Sequence, residues 1–234
     1  MKPILSMPLT RLLAAAAVCV ALALGGGVAA AGAVLLLPKA GLSPAELGVV
    51  VNDRDPLSVT IGAYYQRRRG IPEENVLHVS FAADRDVMSE REFKRIAQRL
   101  KRLTPAGVQA YALTWVRPYR VECMSVTAAF ALGFDRRYCA QGCRVTASSP
   151  YFDSDSTAPF RDYGLRPAMS LAADSLADAK ALIDRGAAAD GTRPRGTGYL
   201  VMTADRHRNV RAARYPAVIK SFGAALGLQV VQGR

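Results

Sequence analysis

Residues 47–70 read LGVVVNDRDPLSVTIGAYYQRRRG, a strand followed by a helix. Gly48 to Val51 is a brief apolar run leaving through Asn52 and Asp53, the pattern of a buried strand with a polar exit. Asp55 is placed to cap a helix and Pro56 occupies its first position. Leu57, Ile61, Tyr64, Tyr65 and Arg68 follow at helical spacing until Gly70, Ile71 and Pro72 end it.

The same alternation extends outward. Ser43-Pro44-Ala45-Glu46 opens the folded part with a hydroxyl cap, a proline at the first helical position and a carboxylate three residues after the cap. Asn75 to Phe81 reads as a second strand. Ser89 to Leu103 reads as a helix, with Phe93, Ile96, Leu100 and Leu103 on one face and Lys94, Arg95, Lys101 and Arg102 on the other. Val108 to Val116 is a third strand and Ser125 to Leu132 a short helix. Residues 133–166 then dissolve into a long loop of Gly, Ser, Pro, Asp and aromatics, the kind that is functional or an excursion. Beyond it come a strand at 167–172, a helix at 175–187, a linker at 191–198, a strand at 199–203, a helix at 210–226 and a strand at 228–231. Parallel neighbours need crossovers and helices supply them, so the fold class is α/β: a mainly parallel sheet with helices on both faces. The domain reading is a first α/β unit over 43–190 and the start of a second over 191–234. That second unit ends on a bare strand three residues from the terminus, so the fold reads as incomplete there.

The N-terminus carries an export address. Lys2 and Arg11 precede an apolar run from Leu12 to Leu24, and Gly25-Gly26-Gly27 follows, the order of a secretory signal over residues 1–33. Val28-Ala29-Ala30 and Ala31-Gly32-Ala33 both suit cleavage. The apolar character continues to Leu37, so an uncleaved membrane anchor is the alternative, with any membrane contact made through that segment. Either way the remainder leaves the cytoplasm, for the periplasm or the exterior. Half of the 234 residues are hydrophobic and the net charge is +12, a surface that attracts anions without choosing among them.

With Cys19 inside the signal, the exported part keeps Cys123, Cys139 and Cys143 in a compartment that permits disulfides. Cys139 and Cys143 form a close pair able to make a small local bridge; Cys123 to either is the alternative. Metal is poorly supported: three cysteines and two distant histidines lack the paired spacing of zinc sites. Asp153-Ser-Asp155 begins like a calcium loop but has Ala158 and Gly164 where glycine and glutamate belong. There is no nucleotide or cofactor fingerprint.

Ligands of parallel sheets bind outside the carboxyl ends of the strands. Asn52, Asp53, Arg117, Arg120 and Asp205 are therefore the binding candidates, expected to gather along one edge. Arg117 and Arg120 suit bidentate capture of a carboxylate or phosphate, or an internal salt bridge with Asp53 or Asp205. Trp115 reads as a core residue. Cys123 with His207 is the weakest candidate, a nucleophile and base whose pairing requires hydrogen-bond reach. His78, inside the second strand, reads as a packed or edge residue.

Taken together, "LGVVVNDRDPLSVTIGAYYQRRRGIPEENVLHV", "YALTWVRPYRVECMS", "YCAQGC", "SSPYFDS" and "NVRAARYP" resemble a family of exported bacterial proteins of unknown function, over nearly everything after the signal. A fainter similarity reaches the gingipain-type, caspase-like cysteine peptidases. "AYYQRRRGIPEENVLHV" resembles the opening of their α/β subdomains, and "RPAMSLAADSLADAKALIDRG" with "GTGYLVMTAD" the lead into their second. The resemblance implies a caspase- or gingipain-like or Rossmann-like topology. It also implies a catalytic His and Cys that would follow later strands, beyond Arg234, and a longer family protein of which this chain is a truncated or incomplete form. The expectation is a binding or scaffold part, with an anionic envelope component or a peptide as partner and no specific nucleic acid binding. The alternatives are a cysteine-peptidase-like hydrolase and an envelope binder of anionic polymers.

Overall fold

The computed structural model describes residues 41–140, 142, 144–192, 196–207 and 209–233. The segment read as a signal or anchor and Cys143 lie outside them. In chain order come β1 (Leu47–Asn52), α1 (Pro56–Arg69), β2 (Val76–Val79), β3 (Val87–Met88) and α2 (Glu90–Leu103). Next are β4 (Ala110–Leu113), β5 (Arg120–Val121), β6 (Met124–Ser125), α3 (Val126–Leu132) and α4 (Pro159–Tyr163). The last are β7 (Ala168–Ser170), α5 (Leu176–Ala188), β8 (Gly198–Met202), α6 (Tyr215–Leu226) and β9 (Leu228–Gln232).

The caps read from sequence do what their chemistry requires. The Asp55 carboxylate accepts from the Leu57 N–H at 3.0 Å, and Gly70 ends α1 in the left-handed conformation, φ 61°, which costs glycine little. Ser89, Ser125 and Ser175 each accept a backbone N–H three residues on, opening α2, α3 and α5. At the start, the Glu46 carboxylate accepts from both the N–H and the hydroxyl of Ser43.

The main sheet is parallel, in the order β2-β1-β4-β7. Strand side chains alternate between faces, and β1 feeds two cores. Val49 and Val51 meet Ile61 and Tyr65 of α1 and Ala179 and Ile183 of α5. Val50, with Leu77, Val79, Tyr111 and Leu113, meets Phe93, Ile96 and Leu100 of α2 and Ala129 and Phe130 of α3. Helices therefore cover both faces. Gly62 permits the tight seat of α1 on β1, because a Cβ there would come within 2.5 Å of Val51 Cγ2. Trp115, 2 % exposed, lies edge-on to Phe81 and Phe130 in the second core.

Three strands escape the sequence reading. β3, β5 and β6 form a separate three-stranded sheet of two-residue strands, too short for any periodicity. The third main strand also ends at Leu113 rather than Val116. The Trp115 indole N–H donates to the Pro118 carbonyl at 3.2 Å, turning the chain back before it reaches β5. The long 133–166 segment holds a 3-10 turn at Arg136–Tyr138 and the single-turn α4. β8 and β9 pair with each other in parallel, in a sheet of their own.

Candidate functional site at the carboxyl edge of the main sheet

From β1 the chain steps to β2 on one side and later to β4 on the other. The crevice outside the carboxyl ends of β1 and β4 is thus the topological switch point, where such sheets place ligands. Its floor is a closed polar circuit. Asn52, Ser58 and Thr114 are each 0 % exposed. The Asn52 N–H donates to Ser58 Oγ at 3.0 Å, and Ser58 Oγ lies 2.8 Å from Thr114 Oγ1. Thr114 Oγ1 donates to the Val50 carbonyl at 3.1 Å. A hydroxyl has one proton to give, so with Thr114 donating to Val50, Ser58 donates to Thr114.

The Asn52 side chain is consumed as well. Its amide nitrogen donates to the Phe81 carbonyl at 3.0 Å and its oxygen accepts from the Phe81 N–H at 3.1 Å. Where the β1 backbone departs for α1, this amide takes over as the partner of the chain leaving β2. Asn52 is therefore a strut of the crevice, not a free ligand group.

On the β2 side of β1, next to this crevice, the groups face water. His78 Nδ1 stands 2.6 Å from Asp53 Oδ1, with both side chains about half exposed. Arg54, the next residue after Asp53, is exposed and makes no ion pair among the described residues. The exposed carboxylate–imidazole pair and the cation next in sequence offer hydrogen-bonding and charged groups to a ligand. No family model, no curated protein and no solved structure matches this chain.

The other candidates do not converge on this crevice. Arg117 Nε lies 3.3 Å from Asp86 Oδ1, and the Tyr119 hydroxyl donates to Asp86 Oδ2 at 3.1 Å. The salt-bridge partner is thus Asp86, on the loop after β2, in place of Asp53 or Asp205. Arg120 is exposed on β5, in the small sheet. Asp205 and His207 follow β8, which belongs to the β8–β9 sheet, and Asp205 Oδ1 accepts the His207 N–H at 3.0 Å in the turn there. The expectation of one shared edge therefore fails, because the strands that carry these residues lie in three different sheets.

Cys123 is bonded to Cys139, 16 residues on, with Cα atoms 5.5 Å apart, inside the usual span of a disulfide. Of the pairings open in the sequence, this one takes Cys123. Its sulfur in that state has no thiolate to offer. Among the described residues no three His, Cys, Asp or Glu side chains converge as a metal site would require.

Sequence reasoning passed over Ser58, Thr114 and Asp86 and gave His78 no partner. His78 meets its partner through the parallel register, which sequence does not state: it stands opposite Val51, and Asp53, two residues beyond Val51 and on the same face, lies beside it.

Proposed function

We propose that this chain is an exported α/β protein that binds rather than cleaves, of the uncharacterised exported family its sequence resembles. Its ligand or partner is held at the exposed Asp53–Arg54–His78 surface beside the crevice. The observation that carries this reading is the Cys123–Cys139 bond, which leaves the weakest catalytic candidate without its thiol. The main-sheet order, second strand, first, third and fourth, is one of the two orders doubly wound sheets use, with the third strand beside the first and not, as in the Rossmann order, beside the second. It favours the caspase- or gingipain-like topology over the Rossmann-like one.

The test has two arms. The purified, non-reduced protein is offered a panel of peptide and ester substrates, and no turnover is expected; hydrolysis abolished by Cys123→Ser would overturn the reading. A thermal-shift screen of small carboxylates, amines and sugars should then give a ligand whose stabilising effect is lost in Asp53→Asn/Arg54→Ala. A ligand response unchanged in that variant would move the site elsewhere.

A second reading rests on α2. Arg91, Arg95, Arg99 and Arg102 are all exposed along that one helix, and none has an ion-pair partner among the described residues. In a chain of net charge +12, such a contiguous face suits an anionic envelope polymer. Retention on heparin should collapse with salt and weaken in Arg91→Gln/Arg95→Gln/Arg102→Gln. Equal retention of that variant would refute a role for the helix.

A further inference from the structure

We propose that a second, separate cavity, walled by α2, α3 and α4, is a binding site for a small aromatic carboxylate, with Arg166 as the group that takes its charge. The cavity measures about 490 Å³, within the range of small-molecule sites, which are mostly apolar with a few placed polar groups. Its walls include Phe93, Tyr111, Phe130, Tyr138 and Phe160. Arg166 lines it while being 8 % exposed.

Arg166 is held as a built feature. Its Nε donates to the Val108 carbonyl at 2.7 Å, and its guanidinium carbon sits 3.3 Å from the centre of the Phe160 ring and 5.6 Å from that of Tyr111. Phe160 is fixed in turn, because the buried Gln109 side-chain oxygen accepts the Phe160 N–H at 3.0 Å and the Arg161 N–H at 3.3 Å. Yet no carboxylate pairs with Arg166 among the described residues. A charged group with so little of its surface in water is commonly paired, and ring faces answer a cation in part. Burial pushes the Arg166 guanidinium below its usual value, which the neighbouring Tyr111 partly offsets. A carboxylate entering the cavity would supply the missing charge in the planar geometry a guanidinium favours, and its aromatic body would find aromatic walls. Lys101 also lines the cavity and adds a second positive charge.

Trp115 is the chain's single tryptophan, and its ring centre is 5.6 Å from that of Phe130, a wall residue. Its fluorescence therefore reports on occupancy. The exported protein is titrated with phenylacetate to ~10 mM, a range that covers millimolar dissociation constants, and in parallel with phenylacetamide and acetate. Saturable binding of phenylacetate is expected, at least tenfold tighter than of the neutral amide, with acetate failing to compete. Arg166→Gln should bring acid and amide to the same affinity, Arg166→Lys should restore part of the preference, and Ala131→Phe should exclude both ligands. Equal affinity of acid and amide for the unmodified protein, or absence of saturation by either, overturns the proposal without any variant. A preference for the acid that survives Arg166→Gln in a protein folded by circular dichroism overturns the assignment to Arg166.

Discussion

Opening the Cys123–Cys139 bond provides the sharpest test of the region that joins the small sheet to the second core. The bond closes a loop of 16 residues running from the turn after β5 through α3 to the 3-10 turn at Arg136–Tyr138. A loop of that length restricts the unfolded chain enough to stabilise the native state by about 3 kcal/mol. Cys123→Ala/Cys139→Ala should therefore lower the urea midpoint by roughly 1.5 M if the slope is ~2 kcal/mol per molar. Cys139 is 6 % exposed within the core, so the substitution also trims packing. Adding reductant to the unmodified protein separates the two effects: it should produce most of the same loss, and the double variant should be indifferent to it. Cys143→Ser should leave the midpoint where it was. A midpoint insensitive to reductant, or a Cys143→Ser variant that takes the loss in place of Cys123→Ala, would refute the pairing.

Three further outcomes follow from the packing. Gly62→Ala brings a methyl within 2.5 Å of Val51 Cγ2; overpacking of ~1–3 kcal/mol outweighs a helix-propensity gain of ~1 kcal/mol. Urea unfolding should show net destabilisation, relieved by adding Val51→Ala, and a stabilised Gly62→Ala would contradict the close seat. Ser58→Ala strands the buried Asn52 N–H, at a cost of about 1–3 kcal/mol, readable in the thermal midpoint; an unchanged midpoint would mean the circuit is not closed as described. Across α1 and α5, Arg68 Nε donates to Asp184 at 2.8 Å and the Tyr64 hydroxyl at 2.9 Å, holding the Asp184 carboxyl below its usual value. A carboxyl depressed in the folded state stabilises above its unfolded value of ~3.9 and loses that contribution as pH falls through the folded value. Asp184→Asn should accordingly be less stable than the parent near neutrality, with the gap closing in acid; a gap independent of pH would count against the tether.

What the residues disclosed in advance is whatever is local and repeated. Asp55, Pro56 and Gly70 bracket α1 because caps and stops act within four residues of themselves, and Val49 to Val51 read as buried because that strand is covered on both faces. The α/β class, the parallel main sheet and the helices on both faces were legible for that reason. The candidate site was less so. The Asn52 side chain meets Phe81, 29 residues away, and Ser58 meets Thr114, 56 away, and nothing in either neighbourhood marks those meetings. Arg117 finds Asp86 through a sheet of two-residue strands whose pairing leaves no period to detect. Asp205 and His207 were placed by assuming one sheet, and strand partners are not written in strand propensity.

The two-strand β8–β9 sheet affects how this protein must be handled. No third strand joins it among the described residues, although the Tyr215 hydroxyl donates to the Val201 carbonyl at 2.8 Å; a two-stranded sheet of this kind is a template on which another copy's strand can add. Tyr199, Phe222, Leu226 and Val230 are exposed on its strands and on α6, giving an arriving chain apolar surface to grip. Mutual repulsion between molecules of charge +12 opposes that encounter, and salt at physiological strength confines the repulsion to about 8 Å. Colloidal stability is thus highest in dilute buffer, and raising the ionic strength trades solubility for strand exchange.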